Sequence, residues 1–379
     1  MIKTFIEELK LIFADGGAML ILLFAMLIYT TIYSIAYGAE VVTDVAIAVV
    51  DEDNTPKSRE LINGLRSGPG TALDYEPQSL GEAKALFYSR KVYGIVIIPD
   101  NYERDLLSQS GATVSMILDG SHLLLYREVL EQAMSDSLAE GGEVEVEYLI
   151  SKGEDDNVIM GIVEPVEFSK HVLYNRSYGY GSFVMPSIVV VIIQQTLLIG
   201  VAMVAMRRRK EPMLGWVDCT RRVLVRALVY VVIYGISLLV IMLTIWQYFG
   251  FPYNGNLLSI ALFMLLYIVA SSSLAQAVSH LFKRREAPIM LLMWSSVPIL
   301  LLAGVSYPRE AFPVWLYDIG RLFPSSSAVG GFIRLNSMGA SLPDVKTELI
   351  TLLILAFVYT MLAIILEKRA SFNKKYNAQ

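Results

Sequence analysis

The sequence contains one cysteine, Cys219, so no intramolecular disulfide framework can form. It also lacks charge where charge would matter most. Six long apolar stretches, about 17–37, 183–206, 227–248, 257–280, 287–306 and 349–366, hold no Asp, Glu, Lys, Arg or His apart from His280 at one end. Proton- or ion-coupled transport needs ionisable groups at membrane depth, at a cost of ~2.5–3.5 kcal/mol or more each. Their absence argues against a secondary transporter. No Gly-x-x-x-x-Gly-Lys-Ser/Thr loop occurs, so this chain cannot cradle ATP phosphates in that way. There is no His-Glu-x-x-His and no Gly-x-Ser-x-Gly. Gly179-x-Gly181 lacks the third glycine and the preceding strand of a dinucleotide loop. No catalytic, metal or cofactor residue is expected.

What is present is apolar and asymmetrically charged. Hydrophobic residues make up 55% of the 379, above the ~45–50% usual for soluble proteins. The net charge is −5, but residues 39–181 hold 25 Asp/Glu against 11 Lys/Arg, a charge of −14 that leaves +9 for the remainder. An acidic insert in a basic, apolar chain points to a membrane protein with two unlike sides. It does not point to nucleic acid.

The insert at 39–181 reads as a small α/β domain. Residues 45–50, Val-Ala-Ile-Ala-Val-Val, have the profile of a strand buried on both faces. Thr55 offers an N-cap hydroxyl and Pro56 suits the first helical position. Leu61, Ile62 and Leu65 stripe that helix. Ser79-Leu-Gly-Glu82 reads as a capping box opening a second helix. Residues 92–98 and 113–118 read as further strands, closed by Pro99-Asp100 and Asp119-Gly120, with a short helix at 102–107 between them. A helix over 123–138 follows, and 140–167, acidic and glycine-containing, is expected to be the least ordered part.

Ordered along the insert, an Asp-x-Asp strand end, the pair Ser58-Arg59, Ile98-Pro99 and Asp119-Gly120-Ser121 resemble the extracytoplasmic domain of ABC-2 type exporter permeases of the bacterial drug-efflux kind. A second signature lies in LLAGVSYPREAFPVWLYDIGRLFPSSSAVGGFIRL, where Gly304, Pro308, Pro313, Trp315 and Pro324 match the family's Gly-x-x-x-Pro…Pro-x-Trp…Pro pattern. Two departures occur near the return to the membrane, where Arg176 replaces a proline and Ser187 a glycine. The resemblance spans nearly the whole chain. It implies a second permease subunit, identical or paralogous, a cytoplasmic ABC ATPase carrying the ATP, and, by analogy, a periplasmic adaptor that meets the insert.

Taken in order, residues 1–16 form an amphipathic helix, with Ile2, Phe5, Ile6, Leu9, Ile12 and Phe13 on one face. It either lies in the membrane interface or simply begins the first span. Residues 17–38 are long enough to cross ~30 Å of hydrocarbon, and an uncleaved span is favoured over a signal peptide. Residues 182–367 carry five more spans. Arg207–Lys210 with Arg221-Arg222, Lys283–Arg285, and the tail 368–379 with Lys368, Arg369, Lys374 and Lys375 are basic, and basic short loops stay cytoplasmic. The expected fold is therefore an α-helical polytopic membrane protein. It has six transmembrane helices, both termini cytoplasmic, and a large α/β extracytoplasmic domain between helices 1 and 2.

Three sets of residues carry the mechanistic expectations. The cytoplasmic loop 207–222 holds Arg208, Arg209 and Glu211, and the resemblance implies ATPase docking there. The bland alternative is that the arginines only fix topology. Glu211→Gln is expected to matter more than Arg208→Gln. Gln194, Gln195, Ser271 and Ser295 are polar residues inside spans that either line a transport path or only join helices. The segment 307–345 is read as a hairpin of short helices at the outer face, with Trp315 at headgroup level. The function expected is a permease subunit of an ATP-driven exporter of hydrophobic or amphipathic compounds in the bacterial inner membrane. The alternative is a membrane-anchored sensor or assembly protein, which six spans disfavour.

Overall fold

The computed structural model describes residues 1–163, 171–176, 178–208, 215–282, 284 and 287–376, with side chains as far as Ala370. The chain divides into two units, Met1–Glu40 with Val172–Gln379, and Val41–His171.

The first unit is helical. Helix α1 (Ile2–Phe13) is followed by Asp15, whose carboxylate accepts the backbone N–H of Gly17 (3.1 Å) and Ala18 (3.2 Å) and so caps α2 (Gly16–Met19). One π turn, Leu20–Phe24, leads into α3 (Ala25–Tyr37). Among the described residues, the run Gly16–Tyr37 is one of five helices long and apolar enough to cross a membrane.

The second unit is the α/β domain: β1 (Val45–Asp51), α4 (Pro56–Ser67), β2 (Thr71–Tyr75), α5 (Leu80–Tyr88), β3 (Gly94–Ile98), α6 (Tyr102–Leu107), β4 (Ser115–Leu118), α7 (Leu123–Ser151) and α8 (Asp156–Val163). The sheet order is β2-β1-β3-β4; β1 runs parallel to β2 and β3, and β4 is antiparallel to β3. Val45, Ile47 and Val49 pack against Leu61, Ile62, Leu65, Val129 and Ala133, while Val50 and Ile95 face Ala83. The expected caps form: Thr55 and Ser58 make a reciprocal capping box, with Pro56 in the first turn. At α5 only half of the box closes, because the Glu82 carboxylate takes the N–H of Gln78 rather than that of Ser79. The Asp-x-Asp at the end of β1 is structural. Asp51 accepts from Asn54 N–H and the Ser58 hydroxyl, and Asp53 accepts from Thr55 Oγ1 and from Glu103 N–H at the start of α6.

Two expectations change here. Thr71–Tyr75 is a strand the sequence reading left out. Residues 139–151 are not loose: they continue α7, whose buried Val129, Ala133, Glu140 and Val144 recur at helical spacing. Residues 164–167 of that stretch lie outside the described residues.

The first unit resumes at α9 (Tyr180–Arg207), the buried centre of the bundle. The Glu40 carboxylate caps its start, accepting from Ser182 N–H (3.0 Å) and Ser182 Oγ (2.8 Å). α9 passes close to the π turn, where a Cβ at Gly200 would overlap Leu22. Helices α10 (Trp216–Leu243), α11 (Ile245–Phe249) and α12 (Leu257–Ser279) follow. α10 takes in Trp216 to Arg222, so much of the expected loop 207–222 is helix. Polar side chains join these helices: Tyr234 donates to Thr196 Oγ1 (2.8 Å) and Tyr267 to the carbonyl of Val190 (2.6 Å).

Helix α13 (Ala287–Leu302) has 16 residues, about 24 Å at ~1.5 Å per residue, short of ~30 Å of hydrocarbon. Gly304, at φ +81°, ends it. The chain then forms α14 (Val314–Gly320) and α15 (Pro324–Asn336) before the last long helix, α16 (Lys346–Tyr376). α15 starts deep and ends at one face. Ser325 N–H donates to Gln194 Oε1 (2.8 Å), about midway along α9, whereas Asn336 holds Pro252 O and Asn254 N–H in the connection before α12.

Candidate functional site

At the end of the bundle where the basic residues gather, five helices meet in a buried charge cluster. α1 supplies Glu8, the end of α9 supplies Arg207 and Arg208, α10 supplies Arg226 and Tyr230, the C-cap of α12 is His280, and α16 supplies Glu367. Arg208 pairs with Glu8 and donates to Tyr230 Oη (2.9 Å). Tyr230 in turn donates to Glu8. Arg226 reaches Glu8 (3.7 Å) and Glu367 (2.9 Å), and His280 Nε2 lies 3.3 Å from Glu367. Beside them Arg207 Nε pairs with Asp15 at 3.0 Å. The side chains of Glu8, Arg226 and Arg208 are only 3%, 4% and 8% exposed.

The charges balance within the cluster. Glu8 and Glu367 answer Arg208 and Arg226, and Asp15 answers Arg207. Balance is what makes burial tolerable: an ion taken out of water loses several kcal/mol of solvation, regained only with a well-placed partner. Removing one member leaves its partner buried and uncompensated, which costs about 3–5 kcal/mol. The arrangement also fixes relative positions. α1, the end of α9, α10 and α16 cannot shift independently without breaking a buried pair. No group of three metal-ligating residues occurs among the described residues. The cluster is suited to transmitting displacement rather than to bond making.

Sequence reasoning missed its members for identifiable reasons. Glu8 was read as part of the polar face of α1, yet it falls in the same i, i+4 register as Ile12, and these two are the buried residues of that helix. Arg226 and Glu367 sit one residue outside the apolar stretches, and no local pattern set them apart. Arg208 was expected to be a milder loop residue. It points inward to Glu8 and Tyr230, so its loss bears on the packing of the bundle as well as on any docking. Arg209 and Glu211 lie outside the described residues.

The other expected residues are placed as follows. Gln194 and Ser271 are fully buried and Gln195 is 9% exposed, all within this chain. Ser295 donates to Leu292 O of its own helix (3.0 Å). Gly304 forms the left-handed turn after α13, Pro308 precedes a 3₁₀ turn at Arg309–Ala311, and Pro313 and Pro324 open α14 and α15. Trp315 is 64% exposed.

Comparison with known proteins decides the family. The model of the ABC-2 family transporter protein matches residues 17–365. The chain belongs to the ABC-2 transporter family. It is 23% identical over 331 residues, 84% of each chain, to the "Probable multidrug ABC transporter permease YbhR" of Escherichia coli K12, and equally to its counterpart in Escherichia coli O157:H7. This ABC-2 protein is thus a multi-pass transport permease of the inner membrane. Membership implies a partnering ABC ATPase.

Proposed function

We propose that the chain is the membrane subunit of an ATP-driven exporter, working with a second permease subunit and a cytoplasmic ATPase pair. The basic helix ends face the cytoplasm, because positively charged short loops are retained there. Six crossings follow, with α13 the short fifth, both termini inside and the α/β domain outside. The buried charge cluster carries this reading. The ATPase docks on the segment after Arg208, with Arg209 and Glu211 in contact. Its ATP-driven movement displaces Arg207 and Arg208, and their buried partners Asp15 and Glu8 carry the shift to α1 and α2. Arg226 and Glu367 carry it on to α10 and α16.

The consequence is a path opened or compressed between α9 and α13, with Gln194, Gln195, Ser271 and Ser295 as the polar groups available along it. Cargo is hydrophobic or amphipathic, in keeping with the multidrug relatives. The α/β domain meets a periplasmic adaptor. Affinity purification of the tagged permease from cells tests the reading. An ABC ATPase should co-purify, and its ATP turnover in membranes should rise with hydrophobic or amphipathic dyes. Recovery of the permease with no ATPase under mild extraction would contradict it.

A further inference from the structure

The start of α15 is electrostatically incomplete. A helix N-terminus carries about half a positive charge, and its first N–H groups need acceptors. Here the N-cap residue Phe323 has no capping side chain, Pro324 follows without an N–H, and Ser326 N–H turns back to Phe323 O (3.0 Å), so the N–H groups are met but no negative charge faces the helix start. Pro324, Ser325 and Ser326 are buried. The Gln194 carbonyl takes Ser325 N–H, which fixes the orientation of the amide and turns its Nε2 into a donor. That Nε2 has no partner among the described residues, although Gln194 is 0% exposed. Ser325 Oγ, also 0% exposed, has none either.

A full cation is added at the same place. Arg309 is half-buried, donates to Ser326 O, and lies 5.0 Å from the Tyr317 ring centroid, with Nε unpartnered. Among the described residues no carboxylate forms an ion pair with it; Glu348 is paired with Arg334 (2.8 Å) through Oε1, and its Oε2 has no partner. A cation beside a helix N-terminus is repulsive, the reverse of the arrangement that helix dipoles favour. Gln194 Nε2 and Ser325 Oγ are buried donors with no acceptor among the described residues, Arg309 is held one residue on at Ser326 O, and an oxyanion is the group that would answer all three.

We infer that the N-terminus of α15, with Gln194, Ser325 and Arg309, binds the anionic head of an amphiphile, a carboxylate or a phosphate. A half-helix that starts midway through a bundle and aims its N-terminus at an anion is a general way to hold charged cargo inside a membrane. Arg309 supplies the charge, and Gln194 Nε2 and Ser325 Oγ supply direction. The inference rests on the exporter reading only insofar as the amphiphile is cargo; binding itself needs no ATPase.

The test uses the full chain in phosphatidylcholine nanodiscs without ATPase, with a nitroxide-labelled fatty acid followed by its immobilised spectral fraction. A saturable site should appear that dodecyl phosphate empties and dodecanol does not. Arg309→Gln should weaken it about tenfold or more, the scale of one hydrogen bond to a charged group, and Arg309→Lys should keep most of it. Ser325→Ala, which removes only a hydroxyl, should weaken it about threefold. Displacement by added phosphatidylglycerol would identify a lipid phosphate as the natural head group; indifference to it would identify a non-lipid amphiphile. Equal binding by wild type, Arg309→Gln and Ser325→Ala, or equal competition by dodecanol, would overturn the site. Intact binding by a permease that recovers no ATPase from cells would count against the exporter reading alone.

Discussion

The two polar regions along α9 differ in one respect. At its Arg207 end, among the described residues, every buried charge has an opposite charge against it, from α1, α2, α10 and α16, and Arg208 Nε alone of that cluster's buried donors goes without an acceptor. Midway along, around Gln194 and the start of α15, donors are buried without acceptors. A closed network resists change and moves as a unit. An open one awaits something from outside. The contrast assigns transmission to the first region and binding to the second.

The largest effect should come from breaking the closed network. Glu8→Gln or Arg226→Gln alone should lower the stability of the permease by about 3–5 kcal/mol, read as earlier thermal unfolding in detergent. The double variant Glu8→Gln/Arg208→Gln should be less damaged than the two single losses combined, by roughly 1–3 kcal/mol, since charge balance is partly restored. Strict additivity would mean the pairs are not coupled. Next comes the neighbouring loop. Glu211→Gln and Glu211→Ala should leave expression and insertion unchanged but weaken ATPase association, by ~2–5 kcal/mol if the charge is paired across the interface. Wild-type export by Glu211→Ala would return it to a solvated loop.

A smaller effect is expected in the open region. Gln194→Leu removes the acceptor of Ser325 N–H, a loss of about 1–3 kcal/mol, and should increase amide exchange at the first turn of α15 without detaching α1. Unchanged exchange would mean that the turn needs no side-chain acceptor.

Glu140 on α7 shows what a buried carboxylate does with no counter-ion. Both oxygens are unpartnered, and burial above all, with Glu60 adding to it, pushes its pKa up to about 7 against Lys57 pulling it down. Between about pH 4.5 and 7 the folded domain then holds a proton that the unfolded chain has lost. Stability from this group is full below that window and falls as pH rises through it. In the full chain, amide exchange along α7 should therefore quicken as pH is raised across the window, after correction for intrinsic rates, and Glu140→Gln should flatten the dependence. A wild-type profile in Glu140→Gln would refute this.

What the sequence revealed follows the range of the interactions. The β1 run, the Thr55 and Ser79 caps and the Gly304–Pro324 pattern are local, and they were legible. β2 escaped because Thr71-Ala-Leu-Asp-Tyr75 has no β-branched run. The second half of α7 escaped because Gly141-Gly142 reads as a break, at about 1 kcal/mol per glycine. Packing around Val144 overrides that preference. The charge cluster joins residues from opposite ends of the chain, Glu8 and Glu367 among them, and no local pattern marks which arginine meets which glutamate.

Transmission through the cluster is tested most directly in the purified permease–ATPase complex reconstituted in vesicles, with ATP turnover and dye export measured together. The variant to use is Glu8→Gln/Arg208→Gln, which keeps the cluster neutral but removes its link to α1. The account predicts near-normal basal ATP turnover, no stimulation by dye, and export reduced about tenfold or more. Export at the wild-type rate, with normal stimulation, would contradict it.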